Sequence, residues 1–130
     1  MQMRKLHFVV GLVGVVAFLG TGIFMRAGFP ELYSANDALR YIYRANHVYI
    51  LLASLANLAL GVHLAGGRAG WRAKLSTVGS VLALASPVVL CFAFVFEASK
   101  ASPERVVTLL GVFALAFGIA AHAMSGPAKR

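Results

Sequence analysis

This chain is poorest in cysteine, in tryptophan and in negative charge. It has one Cys, one Trp and four acidic residues among 130. Cys91 alone cannot close an intrachain disulfide, and no zinc-type Cys/His spacing surrounds it, so it reads as a small core or lipid-facing residue. None of the four acids falls within a long apolar run, so no carboxylate stands ready to orient a histidine for nucleophilic hydrolysis. Charged residues make up only 12% of the chain, about half the share of a soluble domain. A soluble surface drawn from this composition would expose apolar patches well beyond what monomers tolerate.

What the chain has in quantity is hydrophobic sequence, 60% of it. It falls into four segments, at about 6–25, 42–65, 75–96 and 106–124. Each is long enough at ~1.5 Å per residue to cross a ~30 Å hydrocarbon layer. Unpaired backbone groups in lipid cost several kcal/mol each, so each segment is expected as a helix. The expected fold is all-α: one domain over residues 1–130, an integral membrane bundle of four antiparallel transmembrane helices. The first segment is long for a signal peptide and no A-x-A site follows, so it reads as a retained helix.

The formal charge is +8, from twelve basic and four acidic residues. The basic residues flank the apolar runs rather than cluster with aromatics, which excludes a nucleic-acid surface and makes the lipid bilayer the first partner. One side holds Arg4, Lys5, Arg68, Arg72, Lys74, Lys129 and Arg130 with no acid. The other holds Arg26, Arg40, Arg44, Lys100 and Arg105 with Glu31, Asp37, Glu97 and Glu104. The bias of seven to five places both termini in the cytoplasm. Trp71 is an expected interfacial anchor, and Tyr41, Tyr43 and Tyr49 an aromatic belt. Ser34 with Asp37 has capping-box spacing that can start the second helix early, and Ser102 with Pro103 and Glu104 is expected to open the fourth.

Helix one carries His7, Gly11, Gly14, Phe18, Thr21 and Met25 at spacings of 4, 3, 4, 3 and 4, one face of a heptad. Helix four carries Thr108, Gly111, Leu115, Gly118 and His122 at 3, 4, 3 and 4. Laid antiparallel, large residues oppose small ones, so Gly11, Gly14, Gly111 and Gly118 are expected to pack helix one directly on helix four. Pro87 is expected to kink helix three and strip the carbonyl near Ala83 of its partner, a group that Ser86 or a neighbouring helix must satisfy. Asn57 is the most deeply placed strong hydrogen-bonder, read as an interhelical bond.

His47 and His63 of helix two lie sixteen residues apart and point nearly opposite ways. His63 shares a depth with His7 and His122, which defines a candidate cofactor set, with haem b or a metal the group considered. Gly11, Ala59 and Gly118 would leave room for a macrocycle. The structural reading, histidines capping helix ends near water, is preferred over it. At the other side Arg40, Arg44 and His47 make a candidate polar cluster for an anion, a lipid headgroup or an acidic partner. Glu97 and Glu104 read as solvated acids of a short loop. Four helices also make too small a unit for a repeat-built transporter unless the protein oligomerises.

The segments YRANHVYILLASLANLALG (43–61), FLGTGIFMR (18–26) and GWRAKLSTVGSVLALASPVVL (70–90) resemble those of small bacterial four-helix inner-membrane proteins. The resemblance covers most of the chain and implies a bacterial inner-membrane location and nothing catalytic. A cytochrome b would show paired histidines on each of two helices, from which this chain departs. Microsomal glutathione-transferase-like proteins share the length and helix number, but their Arg/Asn/Glu motif has no match in helix two. The function expected is that of a non-enzymatic accessory or assembly protein acting through helix packing, with another membrane protein or a homo-oligomer as partner. The alternative is a haem- or metal-binding membrane redox protein using His7, His63 and His122.

Overall fold

The computed structural model describes residues 2–32, 37–64, 69–100 and 104–126. Ser34, Arg68, Ser102, Pro103, Lys129 and Arg130 lie outside them. Four helices account for nearly all of the described chain: α1 (Gln2–Leu32), α2 (Asp37–His63), α3 (Gly70–Phe96) and α4 (Val106–Ser125). A single 3-10 turn, Ala98–Lys100, follows α3. All four helices are long and apolar enough to cross a membrane, by length and composition. α1, α2 and α3 each run beyond an apolar segment into a polar flank. α4 starts at Val106, with Glu104 and Arg105 non-helical, so Glu104 does not stand in its first turn as expected; Ser102 and Pro103 lie outside the described residues. It ends at Gly126, whose φ of +67° suits a residue without Cβ.

The helices are zipped in two tight pairs. Phe8 of α1 meets Gly61 of α2, Gly11 meets Leu58, Gly14 meets Ser54, and Gly22 meets His47. In the other pair Gly79 of α3 meets Ala121 of α4, Ala83 meets Gly118, and Leu90 meets Gly111. These approaches are backbone-close. A Cβ at Gly11 would stand 2.7 Å from Leu58 N, one at Gly61 2.7 Å from Phe8 N, and one at Gly118 2.9 Å from Ala83 N. Small residues permit this, and dispersion over close backbones holds membrane-type helices together.

Here the structure corrects the expected seam. Among the described residues no Cα of α1 comes within 8 Å of a Cα of α4. The seam faces do turn inward: His7, Gly11, Gly14 and Met25 are buried on α1, as are Thr108, Gly111, Leu115, Gly118 and His122 on α4. Their partners are α2 and α3. Gly61 and Ser54 on α2, and Gly79 and Ala83 on α3, offer equally small surfaces, and a glycine in contact with one backbone has no room for a second.

Between the pairs lies a core of Met25, Ile42, Tyr43, Ile50, Ala53, Leu90, Phe94, Ala98 and Leu115. Tyr43 packs edge-on against Phe94, ring centres 5.1 Å apart, and is buried rather than part of an aromatic belt. Tyr41 is exposed. Arg4 reaches across to the carbonyls of Gly61 (3.3 Å) and Val62 (3.0 Å), placing positive charge where the α2 dipole is negative.

Candidate functional site

Pro87 lacks an N–H, so the carbonyl of Ala83, four residues back, has no helical donor. Asn57 of α2 supplies one. Its Nδ2 donates to Ala83 O at 2.7 Å and to Ala53 O, one turn back on its own helix, at 2.9 Å. Both amide hydrogens are then spent on carbonyls, which assigns the amide orientation from the network. Oδ1 faces α1 and is 2.7 Å from His7 Nδ1. An amide oxygen only accepts, so His7 carries its hydrogen on Nδ1. The neutral ring therefore keeps a lone pair on Nε2. His7 is fully buried, and Nε2 has no hydrogen-bond partner.

His122 of α4 comes to the same place. Its ring centre is 6.1 Å from that of His7, with the planes at 75°. Two serines of α3 flank it: Ser76 Oγ is 3.4 Å from Nδ1 and Ser80 Oγ 3.2 Å from Nε2. All four helices thus contribute to one buried polar cluster. Sequence reasoning had Asn57 and Pro87 and proposed both the orphaned carbonyl and an interhelical bond, without joining them.

His63 does not enter this cluster. It is exposed at the end of α2, so the expected three-histidine set is not assembled. The room expected for a macrocycle is also taken: Gly11 is filled by α2 and Gly118 by α3, while Ala59 is exposed. Among the described residues no group of three His, Cys, Asp or Glu could hold a metal ion.

A second polar cluster lies at the other end of α3. Glu97, just past α3, is buried, not solvated as its loop position suggested. Its Oε1 accepts from Val107 N (2.9 Å), and its Oε2 from Thr108 N (2.8 Å) and Thr108 Oγ1. These are amides of the first turn of α4, whose N-cap Arg105 makes no side-chain cap of its own. A carboxylate from α3 thus caps α4 and meets the positive end of its dipole. Asn46, fully buried on α2, receives Arg105 Nη2 at its Oδ1, and Thr108 Oγ1 stands 3.0 Å from the same atom. The sequence reading missed both Asn46 and Glu97. The signal for Asn46 was present: it precedes Asn57 by eleven residues, about three helical turns, so two amides share one face.

Of the expected group of Arg40, Arg44 and His47, the imidazole takes partners on α1. His47 turns to α1, where its ring stacks on Phe18 with centres 4.0 Å apart. Thr21 Oγ1 donates to Phe18 O at 2.8 Å and so accepts from His47 Nδ1 at 2.9 Å. Arg44 is exposed and Arg40 half-buried. The spacing of three residues puts Arg44 and His47 on one side of the helix, and the contact with Phe18 and Thr21 draws the imidazole toward α1.

The chemistry these clusters support is therefore uneven. Many interior polar atoms are committed to other helices, while His7 Nε2 and Asn46 Nδ2 are buried with no hydrogen-bond partner. No known protein family, no curated protein and no solved structure matches the chain.

Proposed function

We propose that this chain is a small polytopic protein of the bacterial inner membrane, four antiparallel helices with both termini cytoplasmic. It serves as a non-enzymatic accessory or assembly protein through helix packing. The observation that carries this reading is the inverted distribution of polarity. Large apolar side chains point outward along every helix, with Leu12 52%, Ile23 71%, Val88 66% and Phe117 62% exposed. The interior holds His7, Asn46, Asn57, Ser80, Ser86 and Thr108. Such an exterior suits lipid, and interior polar groups suit interhelical bonds.

The pairs Phe8–Gly61, Gly11–Leu58 and Gly14–Ser54, with Gly79–Ala121 and Leu90–Gly111, run in opposite chain order and support the antiparallel reading. The charge bias between the two sides supports the orientation. An accessory role rests on the structural use of the interior: Ser86 bonds Gly111 O, Asn57 bonds Ala83 O, and Glu97 caps α4. What is left to offer a partner is the apolar exterior, including the exposed Phe92, Phe113 and Phe117.

Photocrosslinking residues placed at these three positions in native membranes test the reading. Trapping of a defined membrane protein, or of a second copy, at one position and not at others is expected. Lipid adducts alone at all three would overturn the accessory role. Extraction of the chain by alkaline carbonate would overturn the membrane assignment itself.

A further inference from the structure

We infer that His7 and His122 form a two-coordinate site for a monovalent d10 ion, copper(I) being the biological one. His7 is prepared for ligation. Metal-binding histidines donate their other ring N–H to an oxygen that fixes tautomer and orientation. Asn57 Oδ1 does this for His7, and the amide is fixed by its Nδ2 donating to two backbone carbonyls, which leaves His7 Nε2 buried and without a hydrogen-bond partner. His122 has a hydroxyl at each ring nitrogen. Turning its ring to the ion gives up one serine, and the other remains as the outer partner of the second nitrogen.

The spacing and the charge select the ion. With metal–nitrogen bonds of ~2.0 Å, two imidazoles sharing one ion hold their ring centres roughly 6 Å apart when linear and nearer 5 Å when tetrahedral. The rings stand 6.1 Å apart edge to face with both His122 nitrogens on serines, a separation from which the linear arrangement that d10 monovalent ions adopt is reached once His122 turns. A structural or catalytic zinc needs at least three protein ligands, and among the described residues no third converges. Among the described residues the buried carboxylate, Glu97, lies ~25 Å further along the chain than Ser80 at ~1.5 Å per residue and does not compensate the ion. An uncompensated ion in an apolar interior is least costly at the smallest charge. Imidazole binds copper as well as zinc, iron and nickel, so it is the low coordination number and single charge that point to copper(I).

The test uses the full chain in detergent, with Cys91→Ser to remove the thiol, and copper(I) added anaerobically against a chromophoric chelator. One ion per chain is expected. His7→Gln and His122→Gln should each abolish binding, while His47→Gln and His63→Gln should retain it. Asn57→Leu should weaken it by ~10–100-fold, as loss of an outer-shell partner does. Absence of saturable one-to-one binding, or its survival in either His7→Gln or His122→Gln, would overturn the site. Should those variants not fold, silver(I) added to the parent chain must shift the ring nitrogen resonances of His7 and His122. Unmoved resonances there would overturn it as well.

Discussion

Asn57 donates to the carbonyl of Ala83, the backbone oxygen that Pro87 leaves without a helical partner. One proline on α3 thereby determines the orientation of an amide on α2, and that amide determines the tautomer of a histidine on α1. Interhelical hydrogen bonds in membranes average only ~0.6 kcal/mol because the separated helices find other partners. This one differs in what its loss exposes, a buried carbonyl and a buried imidazole N–H together.

Asn57→Ala is therefore expected to cost ~2 kcal/mol or more, from two orphaned groups at ~1–3 kcal/mol each less what relaxation recovers. The cause is separable. Pro87→Ala restores an N–H to the Ala83 carbonyl, so the double variant should be less destabilised than the sum of the single changes, with a coupling of ~0.5–3 kcal/mol. Reversible unfolding in detergent measures all four corners of the cycle. Strict additivity would mean that Asn57 and Pro87 act on different groups.

Glu97 closes α4 from a different element. Glu97→Ala should lose a cap worth ~0.5–2 kcal/mol, and the amides of Val107 and Thr108, which its carboxylate accepts from, should exchange hydrogen faster. Glu97→Gln keeps one acceptor oxygen and loses the charge, so it should fall between the parent and Ala. Unchanged exchange at both amides in Glu97→Ala would show that α4 is capped by something else.

How much of this could be read from the sequence differs with the physics involved. Helices were legible because apolar runs of bilayer length admit few alternatives. The inward faces of α1 and α4 were legible because glycines repeat there at heptad spacing. Their partners were not, since any neighbouring helix with small residues at the right heights satisfies the same rule, and Gly61 and Gly79 satisfied it. The bond from a neighbouring helix to the Ala83 carbonyl was anticipated in kind because proline's missing N–H is a local fact. Glu97 was not, because its burial depends on where α4 begins, and that depends on the carboxylate in return.

The glycines differ among themselves in a way that substitution exposes. At Gly20 an added Cβ meets nothing within 4 Å. Gly20→Ala should leave stability unchanged or raise it by up to ~1 kcal/mol through helix propensity. At Gly118 the same methyl would stand 2.9 Å from Ala83 N and Gly79 O, which are backbone atoms that move only with their helix. Gly118→Ala should cost ~1–3 kcal/mol as overpacking. Thermal melts of the two variants side by side measure this, and equal melting temperatures would refute the α3–α4 contact.

The pairing of helices is testable without any stability measurement. A disulfide needs Cα atoms about 4.4–6.8 Å apart. Cysteines at Gly11 and Gly118, with Cys91→Ser, stand on helices whose described Cα atoms nowhere approach within 8 Å, so no intrachain crosslink should form. Cysteines at Phe8 and Gly61, or at Ala83 and Gly118, bridge backbones in direct contact and should crosslink within one chain if the introduced side chains can be accommodated. The histidines supply a check on the same geometry, because His7 and His122 meet through their rings while their helices stay apart. Intrachain oxidation of the Gly11/Gly118 pair, with neither of the other pairs reacting, would return α1 to α4 and dissolve both zippers. Oxidation of the two zipper pairs alone would fix α1 on α2 and α3 on α4, and would leave the histidine pair as the place where α1 and α4 touch.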